Sequence, residues 1–155
     1  QRYPDSMRVF RPVCSSNRLQ DCSQEEVINA YDNSIHYTDY FLGQVIDWLT
    51  AQQAAYNTAM IYVSDHGESL GENNLYLHGM PYAFAPDNQK QVPFIFWASS
   101  SFYRDRDLNK ECLMKMKDHE FSHDNIFHSV LGLLDIKTKY YQSGLDFYAP
   151  CISPH

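Results

Sequence analysis

Apolar residues never run on for anything near the about 20 positions that a membrane-spanning helix needs, and the opening Gln1-Arg2-Tyr3-Pro4 has none of the character of a signal peptide. Basic residues are scarce: 12 Lys and Arg stand against 19 Asp and Glu, for a formal net charge of −7, and the cations form no cluster. Nucleic-acid binding draws its affinity from cations set against phosphates, so a nucleic-acid partner is excluded at this level. The chain has no C-x-x-C pair, no P-loop, no G-x-G-x-x-G turn, no internal repeat and no low-complexity tract. Those absences remove zinc-ribbon, NTPase, dinucleotide-binding, solenoid and disordered-linker readings.

What is present suits one globular domain of 155 residues, 44% hydrophobic and 15% aromatic, which is enough to build a core. Four cysteines, Cys14, Cys22, Cys112 and Cys151, allow three pairings. Cys14 and Cys22 bracket a polar segment suited to a local staple, which favours Cys14–Cys22 with Cys112–Cys151. Cysteines in polar surroundings fit an oxidising compartment, the alternative being four free thiols in a reducing one.

Residues 1–22 read as loop. Ser23 and Glu26 then stand in capping-box spacing, and Ile28, Tyr31, Ile35, Leu42, Val45 and Leu49 recur in steps that predict a long helix over 23–54 with one face buried. The apolar run Thr58-Ala59-Met60-Ile61-Tyr62-Val63 predicts a strand buried on both faces in a parallel sheet. Residues 67–91, rich in Gly, Asn and Pro, predict a long ordered loop. Residues 92–98 predict a second strand, 104–117 a charged surface segment, and the stretch from Ser122 a capped amphipathic helix.

The first strand ends in Ser64-Asp65-His66-Gly67-Glu68-Ser69. In open α/β sheets, ligands bind at the carboxyl ends of strands. An Asp-His pair offers one carboxylate oxygen and one imidazole nitrogen, a mixed set that suits catalytic zinc, and Gly67 breaks the strand so that both side chains reach one ion. The plainer reading makes Asp65 a turn cap and His66 an interior histidine. Twelve residues on, Leu77-His78-Gly79 brings another imidazole that can hold a phosphate oxygen, ligate a second metal or move a proton. Glu68 and Glu72 read as partners orienting His66 or as solvated carboxylates, and neither is placed among the ligands. His123 and Asp124 stand where a helix is capped, while His36, His119, His128 and His155 lack partner spacing. A catalytic zinc takes three protein ligands plus an open position, and the sequence offers two strong ones, Asp65 and His66, and one possible one, His78, so either the rest lies upstream or the site is not a metal site.

The run from Tyr62 through Ser64-Asp65-His66-Gly67-Glu68-Ser69-Leu70-Gly71-Glu72 and on through Tyr76-Leu77-His78-Gly79-Met80-Pro81-Tyr82 resembles the lipid A phosphoethanolamine transferases, including the mobile colistin-resistance enzymes. Matches at Gln1-Arg2-Tyr3-Pro4, Asn29-Ala30-Tyr31-Asp32-Asn33-Ser34-Ile35, Gln91-Val92-Pro93 and Ser122-His123-Asp124-Asn125 extend the resemblance over nearly the whole chain. It implies an α/β fold, the α/β/α sandwich of the alkaline phosphatase and sulfatase superfamily. Residues 1–155 are then the C-terminal part of a soluble catalytic domain whose first part, and an N-terminal membrane domain, lie outside them. It also implies Asp65 and His66 as Zn2+ ligands, His78 beside them, a Cys14–Cys22 disulfide, and a threonine nucleophile upstream, so Thr38, Thr50 and Thr58 are not assigned that role. The implied reaction moves phosphoethanolamine from phosphatidylethanolamine to a lipid A phosphate at the periplasmic face of the bacterial inner membrane, by a monomeric enzyme. A phosphoglycerol transferase, a sulfatase-like hydrolase or a non-catalytic, disulfide-stabilised binding module are the competing expectations.

Overall fold

The computed structural model describes residues 3–153; Gln1, Arg2 and His155, which the sequence reading also used, lie outside the described residues. Helix α1 spans Gln24–Ala51, followed by strand β1 (Ala59–Val63), the two-residue strands β2 (Ser69–Leu70) and β3 (Tyr76–Leu77), helix α2 (Asp87–Lys90) and strand β4 (Phe94–Ala98). Helices α3 (Ser100–Asp105), α4 (Lys110–Lys115) and α5 (Asp124–Leu133) complete the regular structure, with 3-10 turns at Asp5–Met7, Leu19–Asp21, Glu72–Asn74, Ser143–Leu145 and Ala149–Cys151. The strands β1 and β4 are neighbours in a two-stranded sheet, while β2 and β3 form an antiparallel hairpin. The chain divides into two units, one of Gln1–Ala51 with Ile61–Phe96 and one of Gln52–Met60 with Trp97–His155.

In the first unit, α1 starts as its sequence dictates. The Ser23 hydroxyl accepts from the Glu26 amide at 3.2 Å, and the Glu26 carboxylate accepts from the Ser23 amide at 2.8 Å, so two of the helix's orphan donors are satisfied reciprocally. Asn33 is fully buried and ties the N-terminal loop to the helix: its Oδ1 accepts from the amides of Val9 and Phe10, and its Nδ2 donates to the carbonyls of Phe10 and Asn29. A disulfide joins Cys14 to Cys22 beside this junction, where the Cys14 amide also donates to the Glu26 carbonyl. The expected buried face of α1 is corrected here. Val27 and Asn33 are its buried residues, whereas Ile28 and Ile35 are exposed and Trp48 is 63% exposed. Within this unit the elements that α1 meets most are short, the turn Asp5–Met7 and β2, and they cannot cover 28 residues of helix.

Strand β1 forms where the apolar run predicts it, but each of its residues is half-buried rather than buried, since its sheet has one other strand among the described residues. Residues 67–91 are ordered, yet not a plain loop: they contain the β2–β3 hairpin and α2. In the second unit, the charged segment 104–117 carries the end of α3 and all of α4. Short helices of one or two turns leave too little periodicity to be read from sequence. Their starts are capped by Ser99, whose Oγ accepts from the Phe102 amide, and by Asn109, whose Oδ1 accepts from the Cys112 amide. The Cys112–Cys151 disulfide ties α4 to the C-terminal turn, and Leu108 bridges Ile152. The core of this unit collects Phe102, Leu108, Leu133, Phe147 and Tyr148.

Candidate metal centre

The turn that ends β1 is held from three sides of the same unit. The Ser64 hydroxyl donates to the His66 carbonyl at 2.8 Å, the Gly67 amide donates to the Gln89 carbonyl at 3.0 Å, and the buried Gln89 side chain donates to the buried Ser69 hydroxyl at 2.8 Å. Gly67 has a steric role here. A Cβ at that position would collide with the Asn88 backbone carbonyl, so only glycine lets α2 pack against the turn.

The hairpin then fixes what lies opposite the turn. Ser69 pairs with Leu77 and Leu70 with Tyr76, so one further step of the same antiparallel register sets Glu68 opposite His78. Gly71 at φ 111° and the two asparagines Asn73 and Asn74, at φ 51° and 64°, supply the left-handed backbone of the connection. The Glu72 carboxylate accepts from the Leu70 amide at 2.7 Å, which makes it a turn brace rather than a partner of His66.

The resulting cluster is His66, Glu68 and His78, with one ligand atom from each lying within 4.8 Å of the others. The imidazole rings of His66 and His78 lie against each other, tilted by 33°, with centroids 3.6 Å apart. His66 Nδ1 donates to the Gly67 carbonyl at 3.0 Å, which leaves Nε2 as the lone-pair nitrogen. His78 Nδ1 meets Glu68 Oε1 at 3.0 Å, which frees its own Nε2 in the same way. Asp65 is not within that three-residue cluster: its side chain is 87% exposed, with Oδ2 3.7 Å from His66 Nε2. Ligands bound to one tetrahedral zinc at its usual bond lengths lie about 3.3 Å apart, so this pair is close to a shared-ion spacing.

Glu68 is the residue that sequence reasoning set aside. Its side chain is only 20% exposed, and Oε2 is buried with no hydrogen-bond partner among the described residues. A buried carboxylate oxygen with no donor is costly unless a cation faces it. The donor set of two imidazoles and two carboxylates therefore fits a divalent metal with mixed N and O preference. The charge reaches its surroundings too: burial first, and the Glu68 carboxylate second, push the Tyr31 phenol upward. The signal that could have identified Glu68 was the hairpin register, once Gly71 and the following asparagines are read as its turn.

Other sequence candidates fall elsewhere. His128 is buried and its Nδ1 accepts from the Gln142 amide, a structural role. Ser122 accepts from the Asp124 amide and Asn125 accepts back from Ser122, so this segment is a helix start, as expected. Gly67-Glu68-Ser69-Leu70-Gly71 has the G-x-S-x-G spacing of a serine nucleophile elbow, but Ser69 is 1% exposed, sits in a hairpin and accepts from Gln89, so it is no such nucleophile.

Residues 1–136 match the family described as Sulfatase. The chain belongs to that family. Its α/β structure is the C-terminal portion of the alkaline phosphatase and sulfatase fold, as the resemblance implies. It is 44% identical over 151 residues to the phosphoethanolamine transferase EptA of Escherichia coli (strain K12), covering 97% of this chain and 28% of that protein. The integral membrane lipooligosaccharide phosphoethanolamine transferase A of Neisseria meningitidis superposes with a TM-score of 0.93 at 38% identity, over 98% of this chain and 28% of that one. The C-terminal periplasmic domain of phosphoethanolamine transferase EptC from Campylobacter jejuni superposes with a TM-score of 0.86 at 40% identity, over 99% of this chain and 48% of that one. The chain thus spans 28% of the length of that curated relative.

Proposed function

We propose that this chain supplies part of the zinc site of a phosphoethanolamine transferase that takes its group from phosphatidylethanolamine and passes it to a lipid A phosphate at the periplasmic face of the inner membrane. The observation that carries the reading is the cluster of His66, Glu68 and His78, with one ligand atom of each within 4.8 Å of the others and Glu68 Oε2 buried with no hydrogen-bond partner among the described residues. Asp65 Oδ2 and His66 Nε2 are the zinc ligands, and a threonine nucleophile and the remaining ligands come from sequence outside these 155 residues. Bound zinc supplies Lewis acidity at the phosphoryl oxygens and lowers the pKa of the attacking hydroxyl.

The chain's own residues do the positioning. His66 is held in one tautomer by the Gly67 carbonyl, so that Nε2 presents its lone pair beside Asp65. The Glu68 carboxylate orients His78, whose free Nε2 holds a phosphoryl oxygen or moves a proton to the departing oxygen. The reaction is then two displacements at one phosphorus: the threonine oxygen displaces diacylglycerol to hold the phosphoethanolamine group, and a lipid A phosphate oxygen displaces the threonine.

Equilibrium dialysis against zinc, with metal content read by mass spectrometry, tests the ligand assignment. Zinc is expected on the longer protein that carries this chain and lost from its Asp65→Ala and His66→Ala variants; retention by both variants refutes the assignment. In the longer protein, headgroup transfer from defined lipids separates phosphoethanolamine transfer from the sulfatase-like hydrolysis that the family match also permits.

A further inference from the structure

The hairpin leads from His78 into a tip that nothing in the site explains. Over residues 73–86 there is no Asp, Glu, Lys or Arg, although the chain as a whole carries a net charge of −7. Within that span Tyr82 is 80% exposed, Phe84 77%, Leu77 53% and Met80 40%. The tip is built rather than loose: Pro81 accepts from the amides of both Phe84 and Ala85, and Ala85 is buried beneath, so the two aromatic rings are turned outward from a hydrogen-bonded turn. One cation stands at its edge. Lys90 Nζ lies 5.4 Å from the centroid of the Tyr82 ring and 3.5 Å from Asp87 Oδ1.

We propose that this tip is a membrane-contact element: Tyr82 and Phe84 enter the headgroup and acyl boundary of a phospholipid bilayer while Lys90 meets the lipid phosphates. Tyr suits that depth, with an apolar ring and a hydroxyl that stays wet, Phe adds apolar area, and a lysine at the rim keeps its charge in the headgroup layer. Backbone amides turned onto Pro81 enter such a layer already satisfied. Charge is in keeping with this occupant, because the uncharged span 73–86 adds no repulsion from an anionic bilayer and the Lys90–Asp87 pair at its edge is neutral in sum. The inference rests on the lipid substrates proposed above, since the tip starts at His78 and lets the metal centre sit against the surface that holds them.

Flotation of the longer soluble domain that carries this chain, with vesicles of phosphatidylethanolamine and phosphatidylglycerol, tests it, with zinc content measured on every variant. The wild type is expected to float with the vesicles, Tyr82→Ser/Phe84→Ser to bind about tenfold more weakly with its zinc unchanged, and Tyr140→Ser, 64% exposed in the other unit, to bind as the wild type. A wild type that stays in the pellet fraction overturns the proposal, as does equal binding by the double variant or equal loss from Tyr140→Ser. If the tip instead seats a second copy, sedimentation shows a dimer that the double variant dissociates while vesicle binding stays the same, and the proposal falls. Should circular dichroism show the double variant unfolded, Phe84→Ser alone carries the same decision. Loss of zinc from Asp65→Ala with vesicle binding intact separates the two readings: a failure of flotation leaves the metal assignment standing, and absence of zinc leaves the membrane tip standing.

Discussion

At the scale of single residues, Glu68 makes the sharpest test, because two of its consequences have opposite signs. In the metal-free chain its buried Oε2 lacks a donor, a desolvation cost that a neutral amide reduces. In the metal-loaded chain the Glu68 carboxylate brings a negative charge to the cluster of His66 and His78, and losing it weakens the hold on a cation beside His66. Glu68→Gln is therefore expected to melt at the same temperature as the wild type or higher without zinc, and to gain much less from added zinc. Differential scanning fluorimetry with and without metal reads both at once; an unchanged zinc-dependent shift shows that Glu68 is a bystander.

Between elements, the second unit is organised by how α5 receives the segment that follows it. Gly132 has no Cβ, and one placed there would collide with the Asp146 carboxylate, so glycine in the helix admits a buried acid against its backbone. Asp146 accepts from the Tyr141 hydroxyl at 2.7 Å and from the Tyr148 amide at 2.8 Å, while Ser129 and Asn125 of α5 bond to Phe147 and Leu145. Burial, with the hydrogen bond to Asp146 next, pushes the Tyr141 phenol up to about 12 from 10.0. Below pH 10 the phenol is protonated in both folded and unfolded chains and its contribution is complete. Between pH 10 and 12 the unfolded chain gives up the proton that the folded chain keeps, so stability falls through that window and its decline ends above it. Tyr141→Phe is expected to be less stable than the wild type below pH 10 and to lose less between pH 10 and 12, as read from urea midpoints; parallel curves for the two proteins show that the bond contributes nothing. None of this was visible in the sequence, where Gly132 and Asp146 are 14 positions apart with nothing to pair them. By contrast α1, β1, β4 and the start of α5 were legible, because capping boxes and apolar runs are local signals. The candidate site was half legible: Asp65, His66 and His78 stand out by residue type, whereas Glu68 joins them only through a strand register that two-residue strands do not announce.

For the molecule as a whole, each unit carries its own covalent tie, Cys14–Cys22 in one and Cys112–Cys151 in the other, and their spans differ. With sequence separations of 8 and 39, the chain-entropy argument gives about 2.5 kcal/mol for the short loop and about 4 kcal/mol for the long one. The short bridge has local help, since the Cys14 amide donates to Glu26 and Asn33 fastens residues 9 and 10 to α1, so its loss leaves the loop partly anchored. The long bridge holds the C-terminal turn against α4, aided by the Asn109 amide donating to the Cys151 carbonyl. Cys112→Ala/Cys151→Ala is therefore expected to cost more stability than Cys14→Ala/Cys22→Ala by about 1 to 2 kcal/mol in urea unfolding. Equal losses would show that native contacts around the bridges, not restriction of the unfolded chain, set their worth. Zinc affinity adds the spatial half of the test: His66, Glu68 and His78 belong to the unit of the short bridge, so removing the long one is expected to leave metal binding unchanged under conditions where the chain stays folded.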